Sequence, residues 1–541
     1  MRTVLLIFAT VLTGWTQAQF SGRVTNSITG LPVAKATVRL APVAGRAGYV
    51  RTSGAAGEFR FEGISPGDYR LGMERRGFSP VVHSAGKGVP GGSVIHLTAG
   101  QNLADLDLLA TPLPIVTGTV TEGPGEGEPV PRAIIEILAQ RWSIAGRWYE
   151  EIDTAANDQG QFRAPELEPG RYYFYARRPD EGPLTEVVKD ASGKGEVCLA
   201  GVYYPNAPSI EGASAVEVRA GQEVTGIGLR LAWSPCFHAR GRTTGPDVEE
   251  VQMIRRRQDT PLPWESREAD RATDGTFDIP GVVAGDYLVS AIGHRGPKGP
   301  AQEVTVESRD LEGLAVSGEN VSFNARVQVE GDGAPPLSSV YLLLETVTGP
   351  GNARFTTVPV QPDGTARLGR ITPARYTLAA GSSQGGVYVK SVKAGPEEWP
   401  SPVLDFRGGS PPELEIVVGL GTGQVQGTVQ WPDPSEGAVP VAAGDAMRAV
   451  LVPQESRAGI RGAWFAELDQ NGAFTFSEIP PGKYFVFAAA NLEEALWMNR
   501  EFIGLVQGSG APVDLPEKGN VQVEAPVLPA AVAQRAMESI R

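Results

Sequence analysis

Apolar and polar residues alternate along most of the chain with a period of two, the spacing of a strand that buries one face. Phe59 and Phe61, Phe277 and Ile279, and Phe474 and Phe476 fall on one side of such strands, and Leu71, Phe174, Val289, Leu378 and Val486 resume the alternation one turn later. Aliphatic and β-branched runs at 36–40, 134–138, 251–254, 340–344 and 449–452 predict further strands. The only stretch that reads as a helix is the short tail 528–541.

The alternating segments belong to a repeat. Five copies read GEFRFEGISPGDY from Gly57, GQFRAPELEPGRY from Gly160, GTFDIPGVVAGDY from Gly275, GTARLGRITPARY from Gly364 and GAFTFSEIPPGKY from Gly472, and each Gly stands twelve residues before a Tyr: Tyr69, Tyr172, Tyr287, Tyr376 and Tyr484. An apolar anchor five residues before each Tyr (Ile64, Leu167, Val282, Ile371, Ile479) precedes a Pro-Gly turn or its equivalent. Short strand openings upstream, at Gly22, Gly118, Gly241, Ala325 and Gly427, are 96, 123, 84 and 102 residues apart, the size of a small sandwich of about seven strands. Segments such as 94–112 and 216–233, two alternating strands around a Gly turn, close the units. These spacings predict an all-β chain of five antiparallel sandwiches at 19–112, 113–234, 235–317, 318–420 and 421–527, followed by the tail 528–541. The short linkers suggest a semi-rigid rod.

Composition narrows what such a chain does. The 541 residues include 67 Gly and 44 Pro, in keeping with many turns, while 41% are hydrophobic, which suffices for several cores and argues against disorder. A net charge of −14 disfavours nucleic acid and anionic membranes as partners. Arg2, the apolar run 4–12 and the small residues around Thr16-Gln17-Ala18 predict an export signal over 1–18, and no later run is long and apolar enough to span a membrane. Export predicts that the two cysteines, Cys198 and Cys236, pair as a disulfide that staples the end of the second sandwich to the start of the third; two unpaired buried thiols are the alternative.

The opening GRVTNSITGLPVAKATVRL, the Gly-x-Phe turn and the closing SPGDYRLGMERRGF resemble the carboxypeptidase regulatory-like domain, a transthyretin-like (prealbumin-like) sandwich grouped with Cna-B-type and carbohydrate-binding-like folds. The match is best in the first copy and weakest in the third and fourth, where Pro-Gly becomes Ala284-Gly285 and Pro373-Ala374. The resemblance implies an accessory module in a multi-copy secreted bacterial protein. It implies little chemistry. The five repeat tyrosines resemble the corner tyrosine of Greek-key sandwiches, whose hydroxyl finds a backbone partner.

Candidate chemistry has bland competitors. His83, His96, His238 and His294 lack the paired spacing of a zinc site, and no peptidase segment remains outside the repeats. Gly63-Ile64-Ser65-Pro66-Gly67 and Gly381-Ser382-Ser383-Gln384-Gly385 match G-x-S-x-G, but neither has the strand-turn-helix setting of a nucleophile. Turns at 157–160 and 469–472 have too few oxygens for calcium. Neighbouring glutamates at 249–250, 397–398 and 493–494 point to opposite faces of a strand. Trp142, Trp148, Trp264 and Trp464 recur on the segment before the motif's first Gly, where Tyr49 and Phe355 stand in other copies; a shared packing role and a sugar-binding face both fit.

The resulting expectation is a non-catalytic, exported array, periplasmic, cell-surface or secreted, that binds or spaces an extracellular protein or polysaccharide and needs no cofactor or metal. A polysaccharide-binding protein using the Trp-bearing edges is the alternative, and an unrecognised hydrolase is third.

Overall fold

The computed structural model describes residues 18–540 apart from 45–47, 80–84, 87–93, 126, 144–145, 180–186, 246, 258–259, 295, 348–354, 400, 433–446, 457, 461, 470, 491 and 493. The expected export signal lies outside the described residues except for Ala18, which is buried at the start of the first strand.

The chain is all-β and its sheets come in pairs. In the first sandwich, Ala18–Asn26 lies between Glu58–Ile64 and Asn102–Ala110 in one sheet, while Thr37–Pro42 lies between Tyr49–Thr52 and Gly67–Glu74 in the other. Phe20, Phe59 and Phe61 from one sheet and Val38, Leu40, Tyr69 and Leu71 from the other fill the space between them. Four further sheet pairs repeat this plan. In each, the opening strand lies between the motif strand and the closing strand and runs parallel to the latter: Ala18–Asn26 with Asn102–Ala110, Ile115–Glu122 with Glu223–Pro235, Phe237–Thr244 with Leu311–Ser317, Val321–Glu330 with Leu414–Leu420, and Gly423–Gln430 with Asn520–Pro526. Period-two alternation cannot distinguish parallel from antiparallel neighbours, so this parallel pair is a property of the fold that the pattern does not carry.

The motif glycine is required by geometry. Gly57, Gly160, Gly275, Gly364 and Gly472 all have φ between 70° and 85°, a region open to Gly at no steric penalty. A Cβ on Gly57 would stand 2.3 Å from the Val24 carbonyl oxygen, and one on Gly160 would stand 2.4 Å from that of Val120. The same glycine carbonyls accept the Val24 and Val120 amides, both at 2.8 Å, which ties the motif to the opening strand. Six residues further on, Gly63, Glu166, Gly281 and Glu478 are again left-handed.

The chain groups into two compact units, Met1–Pro112 with Pro432–Ala449 and Glu467–Phe474, and Leu113–Trp431 with Val450–Ala466 and Thr475–Arg541. Within the larger unit the sandwiches touch. Leu262 and Trp264 of the third pack on Leu138 and Tyr175 of the second, Ala301 donates to the Arg407 carbonyl at 2.7 Å, and the 3-10 turn Glu494–Met498 lies against Ile134–Ser143.

Among the described residues, α-helix is confined to the end of the chain. Asn499 caps α1 (Arg500–Val506) by accepting the Glu501 and Phe502 amides, and α2 (Ala530–Ser539) falls within the stretch that reads as a helix. Together with Trp497 they cover Val450, Val452, Phe487 and Ala489 on the outer face of a fifth-sandwich sheet. The run Leu492–Val506 has no long helical period, which is why α1 is not visible in the sequence pattern.

Candidate functional site

The five repeat tyrosines share one geometry. Each hydroxyl donates to the carbonyl four residues upstream: Tyr69 to Ser65 at 2.9 Å, Tyr172 to Glu168 at 2.7 Å, Tyr287 to Val283 at 2.8 Å, Tyr376 to Thr372 at 2.9 Å and Tyr484 to Pro480 at 2.6 Å. All five rings are buried. The turn before the motif Gly is held in a comparable way, since Asn157 and Asp469 carboxamide or carboxylate oxygens accept amides two and four residues on. Asp274 and Asp363 accept from Thr276 and Thr365, and these hydrogen bonds lower both carboxyl pKa values. The oxygens that suggested calcium loops at 157–160 and 469–472 thus serve the turns. Ser65 lies in the corner turn, where its carbonyl accepts from Tyr69, and Ser383 lies in the turn before Val387–Ala394.

The cysteines meet at the joint between the second and third sandwiches. Cys198 is on Glu196–Ala200 opposite Ser234 of Glu223–Pro235, and the Cys236 amide donates to the Glu196 carbonyl at 3.1 Å. The two side chains are therefore diagonal neighbours on one face of adjacent antiparallel strands. Both cysteines are buried, and the structure carries them as free thiols. They hydrogen-bond to each other, which lowers the Cys198 pKa and holds the second thiol, Cys236, protonated. The Cys198 thiol also reaches the Gly281 carbonyl of the third sandwich at 3.7 Å.

Beside them His238 bridges the two sandwiches, with Nε2 at 3.0 Å from Glu196 and Nδ1 at 2.5 Å from Asp278. Burial opposes its charge, but the Asp278 and Glu196 carboxylates prevail and raise its pKa. Arg240 extends the network to Asp278, Asp310 and Glu312 at 2.8–2.9 Å.

Trp264 belongs to this joint. It is 6% exposed, its indole N–H donates to the Tyr203 hydroxyl at 2.8 Å, and its ring meets Tyr149 edge-on at 5.7 Å. Tyr203 in turn donates to Glu265, which Arg255 clamps at 2.8 Å. Burial and then the Glu265 charge push the Tyr203 pKa well up, so it remains a donor. A Trp packed in this way has no face for a sugar. The Trp142 and Trp148 backbones sit on Ile134–Ser143 and Gly146–Ala155, and their side chains lie outside the described residues. Phe355 is 62% exposed on Phe355–Pro359.

Trp464 has a different setting. It lines a 410 Å³ cleft between the fourth and fifth sandwiches together with Tyr341, Tyr388, Ser477, Glu478 and Thr422. Tyr341 stands directly opposite Gly381 across the sheet, and Tyr388 directly opposite Gly419. A Cβ on Gly381 would fall 2.5 Å from the Tyr341 ring, and one on Gly419 would fall 2.6 Å from the Tyr388 ring. Each tyrosine therefore leans across its neighbouring strand and lies over a glycine. The Trp464 ring is braced edge-on by Tyr484 at 5.7 Å. The walls are tied together: Ala458 packs into the fourth sandwich's core, and Gly459 passes so close to Val389 that a Cβ would fall 2.4 Å from it. Sequence reasoning found Trp464 and missed both tyrosines. Their signal is an aromatic paired with a glycine, and it can be read only once the strand register is known.

Residues 19–108 match the family model of the carboxypeptidase regulatory-like domain. No curated protein matches the chain. Similar solved structures include the TIE protein of Bacillus anthracis (12% identity, 73% of this chain and 68% of that one, TM-score 0.17). Two B repeat units of the collagen binding protein of Staphylococcus aureus match at 12% identity over 76% of this chain and 98% of that one, with a TM-score of 0.15. The major pilin subunit BcpA of Bacillus cereus matches at 12% identity over 76% and 99%, with a TM-score of 0.13.

Proposed function

We propose that the chain is a non-catalytic structural or adhesive protein that works outside the cytoplasm. The observation that supports this most is that one sandwich recurs with its polar signature residues committed to its own backbone, the five tyrosine hydroxyls at the corners and the Asx side chains at the turns. Residues used in this way hold a shape. Several shapes on one chain offer a partner extended surface and avidity. Export rests on Arg2, the apolar run 4–12 and the small residues before Gln19, and the net charge of −14 fits a protein that stays soluble among anionic envelope polymers. An extracellular protein is the first partner class; a polysaccharide is the second reading, favoured by the cleft that holds Trp464.

Fractionation of the producing cells with N-terminal sequencing of the recovered chain tests the compartment, and binding of labelled mature chain to isolated envelope material tests the role. The expected result is a chain that begins at Gln19 in the extracytoplasmic fraction and binds saturably. A full-length cytoplasmic chain without affinity for envelope material would overturn the proposal.

A further inference from the structure

We infer that the cleft between the fourth and fifth sandwiches is a saccharide site that takes a neutral or amino sugar of a polysaccharide chain. This rests on reading the protein as a binding module. Three aromatic side chains, Tyr341, Tyr388 and Trp464, enter one 410 Å³ cleft from three different strands. That volume lies within the range of small-ligand sites, which favour domain interfaces.

The glycines opposite the tyrosines are the more telling feature. An aromatic residue on the outer face of a sheet ordinarily stands up beside its cross-strand neighbour, because that neighbour's Cβ keeps it upright. Gly381 and Gly419 remove that Cβ at the two positions where a tyrosine faces the cleft. With its ring lying over Gly381, the half-buried Tyr341 presents to the cleft the face turned away from the sheet, as Trp464 does from the other wall, whereas Tyr388, 6% exposed over Gly419, forms part of the wall beneath them. A sugar's C–H face stacks on a surface of this kind, whereas an upright ring would fill the space.

The remaining lining residues decide which sugar. Thr422 and Ser477 supply hydroxyls, and Glu478 supplies a carboxylate that no cation among the described residues pairs with. Glu478 occupies the left-handed position of the repeat, φ 58°, where the first and third copies have Gly63 and Gly281. No Lys or Arg is among the described residues that line the cleft. With no cation paired to it among the described residues, the Glu478 carboxylate disfavours a uronic acid or a sulfated sugar and accepts hydrogen bonds from hydroxyls or an ammonium. Because Ala458 and Gly459 fasten the walls together, the cleft is pre-organised, and less ordering opposes binding.

Affinity electrophoresis of the mature chain tests this, run in gels that contain a neutral β-glucan, glycol chitosan or polygalacturonate. The wild type is expected to be retarded by at least one of the first two and not by the third. Tyr341→Ala should weaken retardation roughly tenfold, the loss of one stacked ring. Gly381→Ala leaves every aromatic in place but inserts a Cβ where the Tyr341 ring lies, and it should weaken retardation by several-fold; since Gly381 does not have positive φ, the substitution keeps the fold available. Glu478→Gln should weaken glycol chitosan binding more than glucan binding. Retardation equal in wild type, Tyr341→Ala and Gly381→Ala would place any sugar binding elsewhere and overturn the inference. Retardation by polygalacturonate alone would overturn the sugar class. Absence of retardation in all three gels, with envelope binding intact, would remove the saccharide site and leave the adhesive reading standing.

Discussion

The first and second sandwiches carry an ion pair at the same place in their register, with the charges exchanged. Arg39 and Glu74 are 3.8 Å apart in the first, on side chains 56% and 63% exposed. Glu136 and Arg177 are 3.2 Å apart in the second, where the Glu136 side chain is 2% exposed. Leu40 pairs with Leu71 and Ile137 with Phe174, each partner two residues after the corner Tyr, so Arg39 and Glu136 are equivalent positions. The outer face is exposed around Arg39 and covered around Glu136. Thr37–Pro42 buries every second residue, whereas residues 135–139 are buried without a break, because Leu262, Trp264 and the Glu494–Met498 turn pack on the outer face. A pair worth at most about 1 kcal/mol in water becomes, under cover, a carboxylate whose desolvation must be offset by its partner.

The largest expected effect comes from removing the cover. Trp264→Ala deletes a buried indole together with its hydrogen bond to Tyr203, and should destabilise the second and third sandwiches by about 3 to 5 kcal/mol. Hydrogen exchange read peptide by peptide on the full chain would show faster exchange on both sides of the joint and none in residues 19–112. Unchanged protection at 134–143 would mean that Trp264 is not what makes the two sheets differ.

The comparison also shows what a pattern can and cannot carry. The alternation of Phe59 with Phe61, the motif Gly and the corner Tyr are local, so strands, turns and the sandwich repeat are legible, and the first copy, whose outer face is exposed around Arg39, is legible best. In the second copy, Glu136 reads like any outward charge, since nothing within ten residues of it indicates that a strand about 130 residues later covers it. Trp264 and Trp464 occupy the same place in the repeat, yet one is sealed in a joint and the other lines a cleft. That difference depends on which sandwich comes next to which, and the sequence-local pattern is silent on it. Tyr341 and Tyr388 escaped notice for the related reason that their partner glycines are 40 and 31 residues away.

A second, slightly smaller effect concerns the thiols that flank the covered joint. Oxidation of Cys198 with Cys236 closes a loop of 38 residues, and in the chain-entropy model that stabilises by roughly 3 to 4 kcal/mol. If the chain is exported as proposed, we expect it to hold this bond, because the two side chains interact across adjacent strands and such a compartment is oxidising. Thiol titration of unfolded, unreduced protein should then count none, and reduction should loosen the joint while leaving the first sandwich, which has no cysteine, unaffected. Two titratable thiols would show that the joint relies on packing and on the His238 bridge alone.

The smallest effects test the ion pairs directly. Burial first, and then the hydrogen bond and charge of Glu151, raise the Glu136 pKa to about 7 in spite of Arg177. The folded second sandwich therefore binds a proton more tightly than the unfolded chain does, and its stability is highest below the ordinary carboxylate pKa. Between that value and about pH 7 the unfolded chain ionises first, and stability falls by about 2 to 3 kcal/mol, with no further loss above. Glu136→Gln should flatten that slope, as measured by the pH dependence of exchange protection at 134–143 between pH 4.5 and 7. His238 also loses its contribution as pH rises, but its pKa is raised from a higher starting value, so its loss begins above pH 6.5 and is common to both proteins. Arg39→Ala in the first sandwich should change protection by no more than about 0.5 kcal/mol at any pH in this range. If Glu136→Gln kept the wild-type slope, or if Arg39→Ala matched its size, the cover over the second sandwich would not be what separates the twin positions.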